Sequence, residues 1–260
     1  MNKLTFLGTA AAGFVGSGRQ PAAIYFDGML LDCGAGVIGR LEDLKISDDL
    51  IAILITHLHH DHYGGLFDLL VNLAIKEDVK AKKGIKMEKR RLTIYAPNGL
   101  NTILDVIKDK GKIYSYLFER LDLKLVKANP SLTFEENGNM IKPILMDHGK
   151  TTDFGYLIDT KKFRVFYSGD TKETSNINGV KADYLIHEAT FQHKYLSIAQ
   201  ATGHSTARGA AEAAIKCGAK KLFITHVTNV ITPERELETE AKQVFSNTVL
   251  PNDLQSFELN

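Results

Sequence analysis

Cysteine is scarce in this chain: Cys33 and Cys217 are the only two among 260 residues. Two cysteines cannot supply the disulfide framework of a small secreted fold, so a reducing cytoplasm is the expected compartment. Long apolar runs are missing as well. None approaches the roughly 20 residues of a membrane-spanning helix, and the N-terminal Met1-Asn2-Lys3-Leu4-Thr5-Phe6-Leu7-Gly8-Thr9 reads as a first strand, not a signal peptide. Charge of one sign is also lacking. A net charge of +1 creates no whole-protein field toward nucleic acid or membrane. No Pro/Gly/Ser-rich linker or low-complexity segment interrupts the chain, so one domain spanning 1–260 is expected. The hydrophobic share, 44%, is enough for a substantial core.

What is present is a histidine cluster at a strand tip. The apolar run Leu50-Ile51-Ala52-Ile53-Leu54-Ile55 leads straight into Thr56-His57-Leu58-His59-His60-Asp61-His62. A single histidine is more often a satisfied core or surface residue. So many imidazoles beside a carboxylate in one tight turn would repel or desolvate one another without a cation. Imidazole and carboxylate together suit zinc, manganese or iron better than calcium.

Other short apolar runs end the same way. Tyr184-Leu185-Ile186 precedes His187-Glu188, and Leu222-Phe223-Ile224 precedes Thr225-His226. Met29-Leu30-Leu31 precedes Asp32, and Phe163 to Tyr167 precedes Ser168-Gly169-Asp170. Such runs predict buried strands, with chemistry at their carboxyl ends as in layered α/β proteins. Leu66, Leu69, Leu70, Leu73 and Ala74 lie at helical spacing. Ser205 to Lys216 predicts a second helix, with Ser205 as N-cap and Gly218 as its stop. Strand–Asp32–strand–His57 is echoed by strand–Asp170–strand–Glu188, which suggests a quasi-duplicated sandwich of two facing sheets. His148, in Met146-Asp147-His148-Gly149, and His226 become ligand candidates in the company of the 57–62 cluster.

These segments, with Phe6-Leu7-Gly8-Thr9, Leu31-Asp32-Cys33-Gly34, His187-Glu188-Ala189-Thr190 and Gly203-His204-Ser205-Thr206, resemble the metallo-β-lactamase superfamily. Within it they resemble the ribonuclease Z-like phosphodiesterases. The resemblance runs nearly end to end and implies a four-layer αββα sandwich. It also implies a dinuclear site. His57, His59 and His148 would hold one ion, Asp61, His62 and His226 the other, and Asp170 would bridge them. Paired ions suit phosphodiester cleavage because they make hydroxide available and stabilise phosphoryl charge. Asp61 would orient the attacking water or take its proton. His204 would protonate the leaving oxygen, with Glu188 orienting it, and Ser205 would touch substrate. Asp32 would brace the metal-binding loop without ligating. His60 departs from the family pattern, which has a small residue there. His187 and His193 carry no role, and Cys33 reads as a small apolar filler.

Histidine at position 59 excludes the glutamate form of the motif that goes with di-iron chemistry. No cysteine stands at a ligand position, unlike several lactamases. Two zinc ions are expected, with manganese as the alternative, since ligand type alone does not separate them. Two features separate the chain from ribonuclease Z proper, the tRNA 3′-processing endoribonuclease. Phe154 to Tyr167 reads as a hairpin around Asp159-Thr160-Lys161-Lys162, which leaves no room for a tRNA-binding arm. Asn229-Val230 also replaces the family's usual Arg-Tyr pair. Against this, eight basic and three acidic residues give the 76–91 stretch a charge of +5, which could follow a phosphate backbone, although a solvated loop and helix end is the commoner reading of such a run. That stretch contains no aromatic residue to stack a base. An armless chain of this length resembles the phage anti-Pycsar enzymes, so hydrolysis of a small cyclic nucleotide is the first expectation. Cleavage of a tRNA precursor is the second, and acyl or thioester hydrolysis on the same fold the third. A non-catalytic nucleotide-sequestering protein would show a broken catalytic set, and this set is complete. The family's habit also implies a homodimer.

Overall fold

The computed structural model describes residues 2–12, 18–85, 88–108, 117–228 and 233–260. Among these residues the strands form two seven-stranded sheets. The first runs, in spatial order, β14 (Ser256–Glu258), β1 (Lys3–Gly8), β2 (Ala23–Phe26), β3 (Met29–Leu31), β4 (Ala52–Leu54), β5 (Arg90–Ala96) and β6 (Leu121–Lys127). The second runs β13 (Thr248–Val249), β12 (Lys221–Thr225), β11 (Tyr184–Glu188), β10 (Arg164–Tyr167), β9 (Thr151–Asp159), β8 (Asn139–His148) and β7 (Phe134–Glu136). In each sheet one half is parallel: β3 to β6 in the first, β10 to β13 in the second. That symmetry matches the quasi-duplication expected from the sequence.

Side-chain alternation explains why the strand sequences are apolar throughout. Along β4, Ala52 and Leu54 face the space between the sheets, while Ile53 packs outward under helices. Along β11 and β12, Ile186 and Phe223 point inward, whereas Leu185, Leu222 and Ile224 point outward. A strand covered on both faces has no polar face to show. The outer face of the first sheet lies against α1 (Val37–Asp43), α3 (Leu66–Lys82) and α4 (Leu100–Lys108). The second lies against α6 (Ala207–Cys217) and α7 (Glu234–Val244). The result is the expected αββα sandwich. Two short helices, α2 (His60–Tyr63) and α5 (Leu196–Thr202), complete the set among the described residues.

Three details differ from the sequence expectation. The strand at 184 continues through His187 and Glu188, because both pair in parallel with β12. The cap of α6 is Thr206, not Ser205: its Oγ1 accepts the Gly209 N–H at 3.0 Å. Gly218 ends that helix as foreseen, at φ 67°, a left-handed conformation that suits glycine. The third concerns the basic stretch. Lys76 pairs with Glu42 and Asp48, Lys80 with Asp48 and Glu77, and Lys82 with Asp78. Arg90 donates to the Ser47 and Leu50 carbonyls. Lys76, Lys80 and Arg90 thus tie α3 and β5 to the turn at 47–50 and are not free to follow a phosphate backbone. Lys86 and the Asn229-Val230 pair lie outside the described residues.

The hairpin from β9 to β10 turns at 160–163, with the Thr160 N–H donating to the Phe163 carbonyl at 2.9 Å. No arm interrupts it. Both cysteines are free and buried. Among the described residues no helix is long and apolar enough to cross a membrane.

Candidate metal centre

All seven proposed ligands converge: six follow the parallel strands β4, β10 and β12, and the seventh comes from an antiparallel strand. His57 follows β4. His59, at extended φ/ψ, starts the one-turn helix α2, which turns Asp61 and His62 inward and leaves the His60 side chain 80% exposed. His60 therefore stands on the rim, off the ligand face. His148 ends β8. Asp170 follows β10 after Gly169, whose φ is +62° and where an added Cβ would sit 2.6 Å from an Asp153 oxygen. Only glycine lets the chain deliver Asp170 so close to the first sheet. His226 caps β12 at φ 56°, a conformation rare outside glycine and asparagine, as at many functional sites.

One oxygen lies at the middle. Asp170 Oδ2 is 3.2 Å from His226 Nε2, 3.4 Å from His62 Nε2, 3.8 Å from His57 Nε2 and 4.0 Å from His148 Nε2. His57, His59, His148 and Asp170 offer ligand atoms within 4.8 Å of one another, and so do Asp61, His62 and His226. Whether these residues fit metal ions can be judged from their unsatisfied atoms. His57 Nε2, His62 Nε2 and Asp170 Oδ1 are buried without a hydrogen-bond partner. Buried polar atoms normally find partners, and orphaned ones are costly. Two of them, His57 Nε2 and His62 Nε2, lie within 4.0 Å of the same Asp170 oxygen and fit a cation there. A nitrogen-rich set with carboxylates is the donor chemistry of zinc.

The far nitrogens of the histidines are braced. His57 Nδ1 donates to Asp153 Oδ2 at 2.8 Å, and His62 Nδ1 to Asp32 Oδ2 at 2.7 Å. His148 Nδ1 donates to the Gly203 carbonyl at 2.7 Å, and His226 Nδ1 lies 3.0 Å from Thr190 Oγ1. Such contacts fix which ring nitrogen faces a metal. Asp32 also accepts from the Thr56 N–H and the Tyr167 hydroxyl, at 2.8 and 2.7 Å. It braces the histidine loop from inside and does not point at the ligand cluster.

Electrostatics follow the packing. Burial, reinforced by the charge of His62, lowers His57 to about 3, and burial with His57 lowers His59 to about 4. Both stay neutral, as a ligand must. Burial alone would raise Asp170, but His226 and His62 outweigh it and hold the carboxyl well below its usual range. Burial would likewise lower His62, and Asp170 and Asp32 raise it well above the ordinary imidazole value. Metal binding at that nitrogen therefore competes with a proton.

A second cluster adjoins the first. His204 Nδ1 donates to Glu188 Oε1 at 3.0 Å. Glu188 is fully buried and also accepts from the Thr171 and Ser205 N–H groups and from the Thr190 hydroxyl. Burial would lower His204, yet the Glu188 charge and hydrogen bond, helped by Asp170, push it up to about 9. Ser205 is also fully buried, and its hydroxyl donates to the Thr171 carbonyl at 2.6 Å. It shapes the loop that carries His204 and presents no hydroxyl to solvent. His187 is buried against its own strand and His193 packs toward α7; neither joins the ligand cluster.

Asp153 and Thr190 escaped the sequence reading. The only local signal for Asp153 was an acid just before the run Phe154 to Ile158 in its strand, and Thr190 lay within a motif already explained. Asp153→Ala should weaken metal binding roughly 10–100-fold by freeing the His57 ring. Competition with a chelating indicator dye measures this, and an unchanged affinity would show that packing alone holds His57.

Fold and site together define a metal-dependent hydrolase of the metallo-β-lactamase fold. Comparison with known proteins agrees. The family described as beta-lactamase superfamily domain matches residues 28–227, and the chain belongs to that superfamily. It is similar along almost its whole length to ribonuclease Z of Archaeoglobus fulgidus, at 29% identity covering 99% of this chain and 97% of the relative. Ribonuclease BN of Proteus mirabilis is 28% identical, covering 99% of this chain and all of the relative. Among solved structures, the metallo-beta-lactamase fold protein YhfI from Bacillus subtilis superposes with a TM-score of 0.78 at 23% identity, covering 99% and 100% of the two chains. The short form of human tRNase Z gives 0.74 at 23%, covering 99% of each. These structural likenesses carry the fold.

Proposed function

We propose that this protein is a two-metal phosphodiesterase acting on small phosphodiesters, with 3′,5′-cyclic nucleotides as the first candidates. The observation that supports this best is a full set of ligand-type side chains beside a charged His204–Glu188 pair, in a chain whose β9–β10 hairpin carries no arm. His57, His59 and His148 would hold one ion and Asp61, His62 and His226 the other, with Asp170 between them. Two zinc ions there would supply Lewis acidity and make hydroxide available near neutral pH; manganese would serve the same ligands.

Each protein group then has a task. Asp61, lowered by His226 and His62 despite burial, stays an acceptor at neutral pH and can orient the incoming water or take its proton. Glu188 fixes His204 through Nδ1, which leaves Nε2 to give a proton to the departing oxygen. Ion pairing of Lys76, Lys80 and Lys82 reduces the charge free to grip a long backbone, which favours a substrate with one phosphate. Cleavage of a tRNA precursor is the second reading, favoured by the full-length similarity to proteins named ribonuclease Z. A cytoplasmic location and a homodimer whose partner loop completes the pocket belong to the same proposal; a fully active monomer in sedimentation would refute the dimer.

The test sets the zinc- or manganese-loaded protein against a panel of cyclic nucleotides and a precursor tRNA with a 3′ trailer. The expected result is rapid opening of a cyclic nucleotide, little tRNA cleavage, and affinity that depends weakly on salt. Clean tRNA cutting, with binding that falls steeply as salt rises, would establish the second reading instead.

A further inference from the structure

Thr190 sits where the two halves of the site meet. It is 5% exposed, and it stands between Glu188 at 0% and His226 at 3%. Its Oγ1 is 2.8 Å from Glu188 Oε2, 3.0 Å from His226 Nδ1 and 3.0 Å from the His226 carbonyl. A hydroxyl has one hydrogen to give. The ionised Glu188 only accepts, and a charged acceptor makes the stronger bond, so the hydrogen goes to Glu188. The oxygen is then free to accept, and the neighbour able to donate is His226 Nδ1–H. That placement leaves the lone pair of His226 on Nε2, the nitrogen 3.2 Å from Asp170 and 3.3 Å from Asp61. The opposite carboxylate oxygen, Glu188 Oε1, holds His204 Nδ1 at 3.0 Å.

A continuous hydrogen-bonded chain therefore runs from His204 through Glu188 and Thr190 to His226. We infer that Thr190 is a positioning residue that ties the proton donor to a metal ligand, holding the His226 ring in its ligating tautomer while orienting Glu188 behind His204. The methyl group of a β-branched residue would fill the same space without doing either job, so the hydroxyl is the informative part.

The inference rests on the phosphodiesterase reading for its catalytic half only. Thr190→Val keeps the shape and removes the hydroxyl; Thr190→Ser keeps the hydroxyl. Dye competition for zinc and turnover of two phosphodiesters, one with an alkyl and one with a nitrophenyl leaving group, are measured on all three proteins. Circular dichroism and thermal melting confirm folding. Thr190→Val is expected to lose metal affinity about 10–100-fold. It should lose about tenfold or more additional turnover on the alkyl substrate, whose oxygen needs a proton to leave. Thr190→Ser should stay close to wild type in both. A folded Thr190→Val protein with unchanged zinc affinity, or with equal losses on the two substrates, would overturn the inference. So would failure of Thr190→Ser to restore either property, since packing would then be the cause. If the wild-type protein opened no phosphodiester, the function proposed above would fall, while zinc affinity would still decide whether Thr190 holds His226.

Discussion

Asp170→Ala should abolish hydrolysis and reduce the zinc content toward a single weakly held ion per chain. The side chain is 2% exposed, and one of its oxygens lies within 4.0 Å of four imidazole nitrogens from three separate segments. Two divalent ions a few ångströms apart repel unless an anion lies between them, and no other carboxylate among the described residues faces both ligand groups. Metal-based stabilisation of a phosphoryl transition state is worth several kcal/mol, so its loss corresponds to a fall in turnover on the order of 10³-fold or more. Elemental analysis of the purified variant and turnover on a nitrophenyl phosphodiester test this together. Asp170→Asn, nearly the same shape, separates the charge from the packing. Two tightly held ions and near-normal turnover in a folded Asp170→Ala protein would remove Asp170 from the bridging position.

The second large effect belongs to His204. Its ring is 18% exposed on the side chain, its Nδ1 is held by a buried carboxylate, and that carboxylate keeps it protonated at neutral pH. A group so arranged has a proton to give and one free nitrogen from which to give it. His204→Ala should slow substrates with alkoxide leaving groups by roughly 10²–10⁴-fold. A nitrophenolate departs without a proton, so its release should change little. Metal content should stay at the wild-type level, because no ligand position is touched. Equal losses on both substrates would assign His204 to binding or metal retention instead.

Much of this site was legible in the chain. The 57–62 segment announced itself because a strand tip and a tight turn are local: the same few residues that hold the ligands also make the structure that positions them. The apolar runs ending at His187-Glu188, His226 and Asp170 were readable for the same reason, since a strand buried on both faces leaves its mark in consecutive residues. The helix stop at Gly218 was equally local. The cap at its start was not. Ser205 and Thr206 are adjacent cap-type residues, and the choice between them was made by Thr171 and Glu188, which claim the Ser205 hydroxyl and N–H from more than a dozen residues away.

The bracing contacts were beyond the sequence. Asp153 meets His57 across nearly a hundred residues, and Asp32 reaches both His62 and Tyr167. Nothing in the neighbourhood of either aspartate specifies its partner. The lysines of α3 left both a phosphate track and a solvated face open in the sequence, because their partners Glu42 and Asp48 come from an earlier part of the chain. The sequence by itself determined the strands, the ligand types and the chemistry those types can support, because these depend on residue identity and short spacing. Only the tertiary structure decided which ring nitrogen faces the centre, which carboxylates brace a histidine and which lies amid the imidazoles, and which charges neutralise one another. Those outcomes depend on distances between groups that the folding of two sheets, and nothing nearer in the chain, brings together.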